Sequence, residues 1–95
     1  MALVEIFLNI GLCTYEGRFA NYSRHVFEYE SKLEGEDAAE EAYKIINSAS
    51  FELNDHELAI QEEYLVNNEA VITSGDMVAV DGVAYICLPI GWKKM

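Results

Sequence analysis

An Asp-Gly pair near the C-terminus places the tightest constraint on the fold. Asp81 and Gly82 separate two short apolar runs, residues 77–80 and 83–88. A two-residue type I′ turn needs positive φ at both of its central residues, and Asp-Gly is among the pairs that adopt it most readily. We therefore predict that the two runs pair as an antiparallel hairpin. Proline cannot donate a hydrogen bond to a central ladder, so Pro89 ends the second strand and a short edge or tail follows it.

Two further strands are predicted near the N-terminus, at residues 2–10 and 24–33. In both segments the side chains alternate, which is typical of a strand buried on one face. The first strand should place Val4, Ile6 and Leu8 on one face, with Glu5 among the residues on the other, and be covered mainly on one side. The second strand should place His25, Phe27, Tyr29 and Ser31 on one face, and Val26, Glu28, Glu30 and Lys32 on the other. We expect the two strands to pair antiparallel, joined by a long turn or irregular loop over residues 11–23.

The middle of the chain predicts two amphipathic helices. Asp37 with Glu40, and Asn54 with Glu57, have the spacing of a capping box, which marks a helix N-terminus. The first helix is expected to end within residues 48–50 and to bury Ala38, Ala42, Ile45, Ile46 and Ala49. The second is expected to run to about Asn67, with Glu57, Glu62 and Glu63 in solvent and with Leu58, Tyr64 and Leu65 buried.

Together these elements predict an α+β fold, in which an antiparallel sheet of the N-terminal strand pair and the C-terminal hairpin carries two short acidic helices on one face. Because 52% of the residues are hydrophobic, residues 1–95 are expected to fold as a single domain. Glu5 interrupts the apolar N-terminus and no basic segment precedes it, so we interpret this stretch as a strand and not a signal peptide. We predict a cytoplasmic protein in which Cys13 and Cys87 are reduced thiols.

Negative charge is concentrated in the middle of the chain. The sequence has 17 acidic and 6 basic residues and a formal net charge of −11. Residues 28–69 hold thirteen acids and two lysines, a balance of 2 − 13 = −11, whereas acids and bases cancel in residues 1–27 and 70–95. This excess disfavours direct binding to nucleic acid or to an anionic membrane, because phosphate binding depends on Lys and Arg. The expected partner is a basic protein surface.

The C-terminal hairpin also carries a recognisable pattern. It reads Thr73-x-Gly75-Asp76-x-Val78-x-Val80-Asp81-Gly82-x-x-Tyr85-x-Cys87-x-x-x-Gly91-Trp92. This pattern resembles the ending S-x-S-V-G-D-V-V-x-V-D-G-x-x-Y-x-C-x-x-x-G-[FW] of small proteins of unassigned function from bacteriophages and other mobile elements, in which an Ala-rich acidic helix often comes first. Ser74 and Met77 stand where those proteins usually have valine. The resemblance implies a mobile-element origin and brings no activity with it.

No combination of residues predicts catalysis or metal binding. His25 and His56 each have a glutamate nearby, but structural zinc needs four closely spaced Cys or His ligands, and the two cysteines and two histidines are scattered. A Cys13–His25 nucleophile is disfavoured because surplus carboxylates oppose thiolate formation. The paired glutamates lie on predicted polar helix faces and not in a desolvated cleft. We therefore predict a protein that is not an enzyme and has no metal and no cofactor.

Two binding hypotheses remain. In the first, an acidic helical face mimics nucleic acid and inhibits a nucleic-acid-binding host or defence protein, and its residues are Glu40, Glu41, Glu57, Glu62 and Glu63. In the second, an aromatic loop or an exposed sheet edge binds a protein or a second copy of the chain as a homodimer, the acidity serves only solubility, and the loop residues are Arg18, Phe19 and Tyr22. Salt distinguishes the two hypotheses, because electrostatic docking weakens as ionic strength rises.

Overall fold

The computed structural model describes residues 1–9 and 23–95 of the chain. Within them, one antiparallel sheet has the strand order β2-β1-β3-β4-β5, and two α-helices cover one of its faces. The elements are β1 (Ala2–Asn9), β2 (Ser23–Ser31), α1 (Gly35–Asn47), α2 (Asp55–Leu65), β3 (Met77–Val80), β4 (Val83–Cys87) and β5 (Trp92–Lys94). The predicted α+β fold class is confirmed, including the pairing of the two N-terminal strands.

Strand β1 lies second in the sheet and supplies much of the core. Its even-numbered side chains are buried beneath the helices, as the alternation predicted, and they are Ala2, Val4, Ile6 and Leu8. Ile6 is paired with Phe27 of β2 on one side and with Val78 of β3 on the other. Because side chains paired across strands lie on the same face, these residues form one continuous apolar surface.

The C-terminal hairpin forms as predicted. Asp81 in its turn and Asp76 just before its first strand also form hydrogen bonds with β1. Asp81 and Gly82 adopt φ values of 51° and 83°, which a type I′ turn requires. The Asp81 backbone N–H donates to the carbonyl of Leu3, and the Asp81 carboxylate accepts the Leu3 N–H, both at 2.8 Å. Buried Asp76 accepts the backbone N–H of Asn9 at 2.7 Å. The two carboxylates therefore bind opposite ends of β1. Both acids of the C-terminal sequence pattern thus have a structural role.

Helix α1 begins earlier than predicted. It starts at Gly35, and Glu34 in the N-cap position makes no side-chain capping bond, so the predicted Asp37–Glu40 capping box is wrong. Gly35 has φ 58°, a backbone conformation that favours glycine and turns the chain from β2 into the helix. Asp37 instead lies in the first turn, where its charge complements the helix dipole. The inner face is formed by Ala38, Ala39, Ala42, Ile45 and Ile46, while Ala49 lies beyond the helix and is exposed.

The N-terminus of α2 is the capping box that the sequence predicted. The Asn54 side chain accepts the Glu57 N–H at 2.8 Å, and the Glu57 carboxylate accepts the Asn54 N–H at 3.1 Å. Two N–H groups that lack partners within the helix are satisfied in this way.

The inner face of α2 differs from the predicted one. The buried residues are Glu57, Ile60, Gln61 and Tyr64, whereas Leu58 is half-buried and Leu65, the last residue of the helix, is 52% exposed. Tyr64 packs edge-to-face on Phe27 with the ring centroids 5.5 Å apart. Gln61 donates from its amide to the carbonyls of Ile45 at 2.9 Å and Ser48 at 2.8 Å. These contacts set the rotation of the helix, so the burial of Leu58 and Leu65 was predicted wrongly.

A β-bulge in β2 changes the direction of one predicted side chain. Ile6 pairs with Phe27, but the next residue, Phe7, pairs with His25, so Val26 is the extra residue. His25 therefore points to the sheet face away from the helices, and its predicted placement on the same face as Phe27 is wrong. The predicted loop 11–23 lies outside the described residues except for Ser23, where β2 begins.

Candidate functional site

An acidic groove runs between the end of β2, α1 and the start of α2. It has a volume of about 360 Å³, is open to solvent, and is lined by Leu33, Asp37, Glu40, Glu41, Lys44 and Glu57. Four carboxylates and one ammonium group give this acidic groove a charge of 1 − 4 = −3. The groove brings together Glu40, Glu41 and Glu57, three of the five predicted glutamates, although they come from two helices.

Glu41 connects α1 to β2 and is only partly available to a partner. Its carboxylate accepts the Ser31 hydroxyl at 2.8 Å and the Tyr29 hydroxyl at 3.2 Å. Burial and the charge of Glu41 raise the pKa of Tyr29 well above its usual range, so this phenol remains a hydrogen-bond donor. Glu41 is half-buried and serves the fold as well as the charge of the groove.

Glu57 was predicted to lie in solvent, and this is wrong. Its residue exposure is 8%, and one carboxylate oxygen completes the α2 capping box. The other oxygen accepts the Lys44 ammonium at 3.0 Å. The Asn54 backbone N–H and the Lys44 hydrogen bond hold the pKa of Glu57 below its usual value of 4.5. Glu57 is therefore ionised but already paired, and its role is to join the two helices.

Glu40 is exposed and borders a second cleft at the C-terminal edge of the sheet. The Trp92 indole N–H donates to its carboxylate at 2.7 Å, and the Trp92 ring packs edge-to-face on Tyr43 at 6.3 Å. This cleft encloses about 200 Å³ and also contacts Cys87. Burial and the nearby Asp76 and Glu40 carboxylates raise the pKa of the Cys87 thiol, which opposes nucleophilic reactivity.

The remaining predicted residues are not part of the acidic groove. Glu62 and Glu63 lie on the outer side of α2, about 8 Å along the helix from Glu57, and they are exposed. Within residues 1–9 and 23–95, neither carboxylate makes a hydrogen bond or an ion pair. Arg18, Phe19 and Tyr22 lie outside the described residues, as does Cys13.

For three residues that matter for these surfaces, the sequence carries no sign of the contacts they make. Trp92 follows the predicted hairpin in a short edge or tail, Leu33 ends the predicted second strand, and Tyr43 belongs to no motif. Trp92 and Glu40 are separated by most of the C-terminal half of the chain, so only the packing of α1 on β4 and β5 brings them together. The spacing of apolar residues along the chain carries no information about such a contact.

The groove can chemically bind a cation or a basic side chain, since its uncommitted groups are carboxylate acceptors.

Among the described helices, none combines the length and apolar character that crossing a bilayer requires. Elsewhere, Glu5, His25 and Glu28 have side-chain ligand atoms within 4.8 Å of one another. Among residues 1–9 and 23–95, these three form a group that could hold a metal ion. The chain matches no protein-family model, no curated protein and no solved structure.

Proposed function

We propose that this protein is a non-enzymatic binding protein whose acidic layer docks on a basic surface of another protein. The acidic layer consists of the carboxylates that α1 and α2 carry. The observation that carries the proposal is the acidic groove, where carboxylates of both helices give a local charge of −3. Leu33 is 42% exposed at its wall and adds an apolar contact.

The charges available for docking include those that are exposed on the two helices. Asp37, Glu62 and Glu63 are exposed, and Glu40 is exposed with one carboxylate oxygen bound to Trp92. Charges separated by less than a Debye length, about 8–10 Å at physiological salt, reinforce one another at the surface. The layer therefore attracts Lys and Arg side chains over a range longer than a single contact. Glu41 and Glu57 contribute field but little direct contact, because they are held by Tyr29, Ser31, Asn54 and Lys44.

We infer that the partner is a protein that binds nucleic acid, and that the chain competes with nucleic acid for it. A protein that binds phosphates presents clustered Lys and Arg, which is the surface complementary to this layer. The bacteriophage-like ending of the chain supports the same class of partner, since inhibition of a host or defence protein is a role suited to a mobile element.

Affinity capture from a bacterial lysate, followed by identification of the bound protein, supplies the partner for the test. The decisive comparison uses two variants of equal charge. Asp37→Asn with Glu40→Gln lowers the charge of the acidic groove from −3 to −1. Glu30→Gln with Glu69→Gln removes two exposed acids outside the groove, so both variants have a net charge of −11 + 2 = −9. We expect the groove variant to bind the purified partner about tenfold more weakly at low salt, with little change in the control variant.

Two further measurements address the class of partner. Binding should weaken steeply between low and moderate salt, and duplex DNA should displace the chain from the partner. Equal affinities of the two variants, or binding that is insensitive to salt, would refute electrostatic docking. Simultaneous binding of DNA and the chain would refute nucleic-acid mimicry while leaving the docking surface intact.

A second function is favoured by β2, which is nine residues long and, among the strands of residues 1–9 and 23–95, is an outer strand of the sheet. An outer strand has one row of backbone groups that a further strand can pair with, and this supports self-association or β-strand addition. Sedimentation over a concentration series tests it. A dimer that persists in high salt would favour this function over electrostatic docking, and a monomer at every concentration would exclude self-association.

A further inference from the structure

Three side chains converge on the sheet face opposite the helices. Glu5 and Glu28 are direct cross-strand partners on β1 and β2, and the His25 imidazole lies beside them. Its Nε2 atom is 3.2 Å from a Glu28 carboxylate oxygen and 3.5 Å from a Glu5 carboxylate oxygen. Phe7 packs edge-to-face on the imidazole with the centroids 5.2 Å apart, which restricts the orientation of the ring.

The bulge at Val26 is what makes this arrangement. Residues three apart on a regular strand point to opposite faces, so His25 and Glu28 would be separated by the sheet. The extra residue in β2 moves His25 to the face that carries Glu5 and Glu28. Bulges often redirect a side chain in this way next to functional sites.

The donors and acceptors of the three groups do not match one another. Two carboxylates directly opposite each other on neighbouring strands repel. The Nε2 atom carries at most one hydrogen, so it cannot donate well to two carboxylate oxygens that both lie beside it. A divalent cation removes both difficulties, because it neutralises the carboxylates and accepts the Nε2 lone pair.

The distances suit a metal ion. Metal–ligand bonds of about 2.0–2.2 Å place adjacent ligand atoms about 2.8–3.6 Å apart in octahedral or tetrahedral geometry. The two separations between His25 Nε2 and the carboxylate oxygens, 3.2 and 3.5 Å, agree with this range, and all three ligand atoms lie within 4.8 Å of one another. One imidazole with two carboxylates is a ligand set that zinc and neighbouring first-row ions accept, whereas Mg²⁺ prefers oxygen alone.

We propose that Glu5, His25 and Glu28 form a surface site for a first-row divalent metal ion, with Zn²⁺ as its best-matched occupant. The ion is held by one residue of β1 and two of β2, so it links the two strands across the bulge. The side-chain exposures of 27%, 40% and 54% leave the remaining coordination positions open to solvent. This site is independent of the acidic groove, which lies beyond the other face of the sheet.

Thermal unfolding with and without ZnCl₂ tests the site. For a Kd of about 10 μM, about 100 μM Zn²⁺ should raise the Tm by about 5 °C or more, and the same concentration of Mg²⁺ should leave it unchanged. Each of the variants Glu5→Gln, His25→Gln and Glu28→Gln should lose the shift. His56→Gln removes the other histidine and should retain it, and Cys13→Ser should also retain it, which excludes the thiol as the ligand.

Two-dimensional NMR of the imidazole groups gives a readout that does not depend on stability. One equivalent of Zn²⁺ should move the His25 ring resonances and leave those of His56 in place. The proposal is wrong if wild-type protein shows no Tm shift, if His25→Gln retains the shift, or if Cys13→Ser abolishes it.

Discussion

Helices α1 and α2 both turn one side toward the protein interior, but with different chemistry. The buried residues of α1 are alanines and isoleucines, whereas two of the four buried residues of α2, Glu57 and Gln61, are polar. Both polar side chains are hydrogen-bonded. Glu57 binds Asn54 and Lys44, and Gln61 binds two carbonyls at the end of α1. An apolar stripe needs only something apolar to cover it, but a polar stripe needs specific partners at specific positions.

The largest difference between the helices should appear when α1 loses a core side chain. Ile45 is fully buried, so Ile45→Ala leaves a cavity and should lower the free energy of unfolding by about 2–5 kcal/mol. The control is Val66→Ala beside the end of α2, where the side chain is 75% exposed and the change should stay within about 0.5 kcal/mol. Urea unfolding measures both variants. Equal effects would mean that α1 is not packed as described.

Gln61→Leu tests whether the polar stripe of α2 depends on its partners. Leucine is as apolar as the residues predicted for this face, yet it leaves the Ile45 and Ser48 carbonyls without the amide donor. We expect a loss of about 1–3 kcal/mol in the free energy of unfolding, measured by urea titration. An unchanged or increased stability would show that burial alone, without hydrogen bonding, sets the rotation of α2.

Glu57→Gln should have a smaller effect that depends on pH. The amide oxygen of the introduced glutamine can still accept the Asn54 N–H, but the ion pair with Lys44 is lost, which should cost about 1 kcal/mol at pH 7. The folded protein holds the pKa of Glu57 below 4.5, so the carboxylate contributes stability above that value and loses it as pH falls through the folded pKa. The unfolding free energies of wild type and variant, measured from pH 7 to pH 3, should therefore converge in acid. A difference that stays constant with pH would contradict the role assigned to the charge.

The smallest effect is expected at the outer surface of α2. Glu62→Gln and Glu63→Gln remove exposed charges that have no partner among the described residues, so each should change the free energy of unfolding by less than about 0.5 kcal/mol. Relief of repulsion within the acidic layer favours a slight gain. Thermal unfolding at low salt makes that gain easiest to detect, and a clear loss of stability would mean that these glutamates have structural partners.

Local sequence signals predicted the elements of this fold better than they predicted its sites. The Asp81-Gly82 turn, the alternation in β1 and the Asn54–Glu57 capping box each depend on neighbouring residues, and all three are confirmed. The start of α1 was missed because Asp37 and Glu40 have capping spacing, while the positive φ of Gly35 begins the helix sooner.

The candidate surfaces were predicted less completely. The acidic layer follows from charge counting, but the division of its glutamates into free and paired groups does not. Glu57 and Glu63 have the same side chain. Glu57 has a structural role only because Lys44 and the N-terminus of α2 lie within hydrogen-bond distance of its carboxylate. The Glu5, His25 and Glu28 cluster was missed for a similar reason, since regular alternation places His25 on the other face and gives no sign of a bulge.

The sequence alone determined the α+β class, the hairpin, the two helices and the concentration of all excess charge in residues 28–69. These properties depend on turn sterics, side-chain periodicity and composition, which act over a few residues or need only counting. Tertiary structure decided the position of β1 between β2 and β3, the rotation of α2, the direction of His25 and the partner of each buried acid. Those outcomes depend on hydrogen bonds and packing between segments that are distant in the sequence. These interactions contribute to stability only after folding has brought the segments into contact.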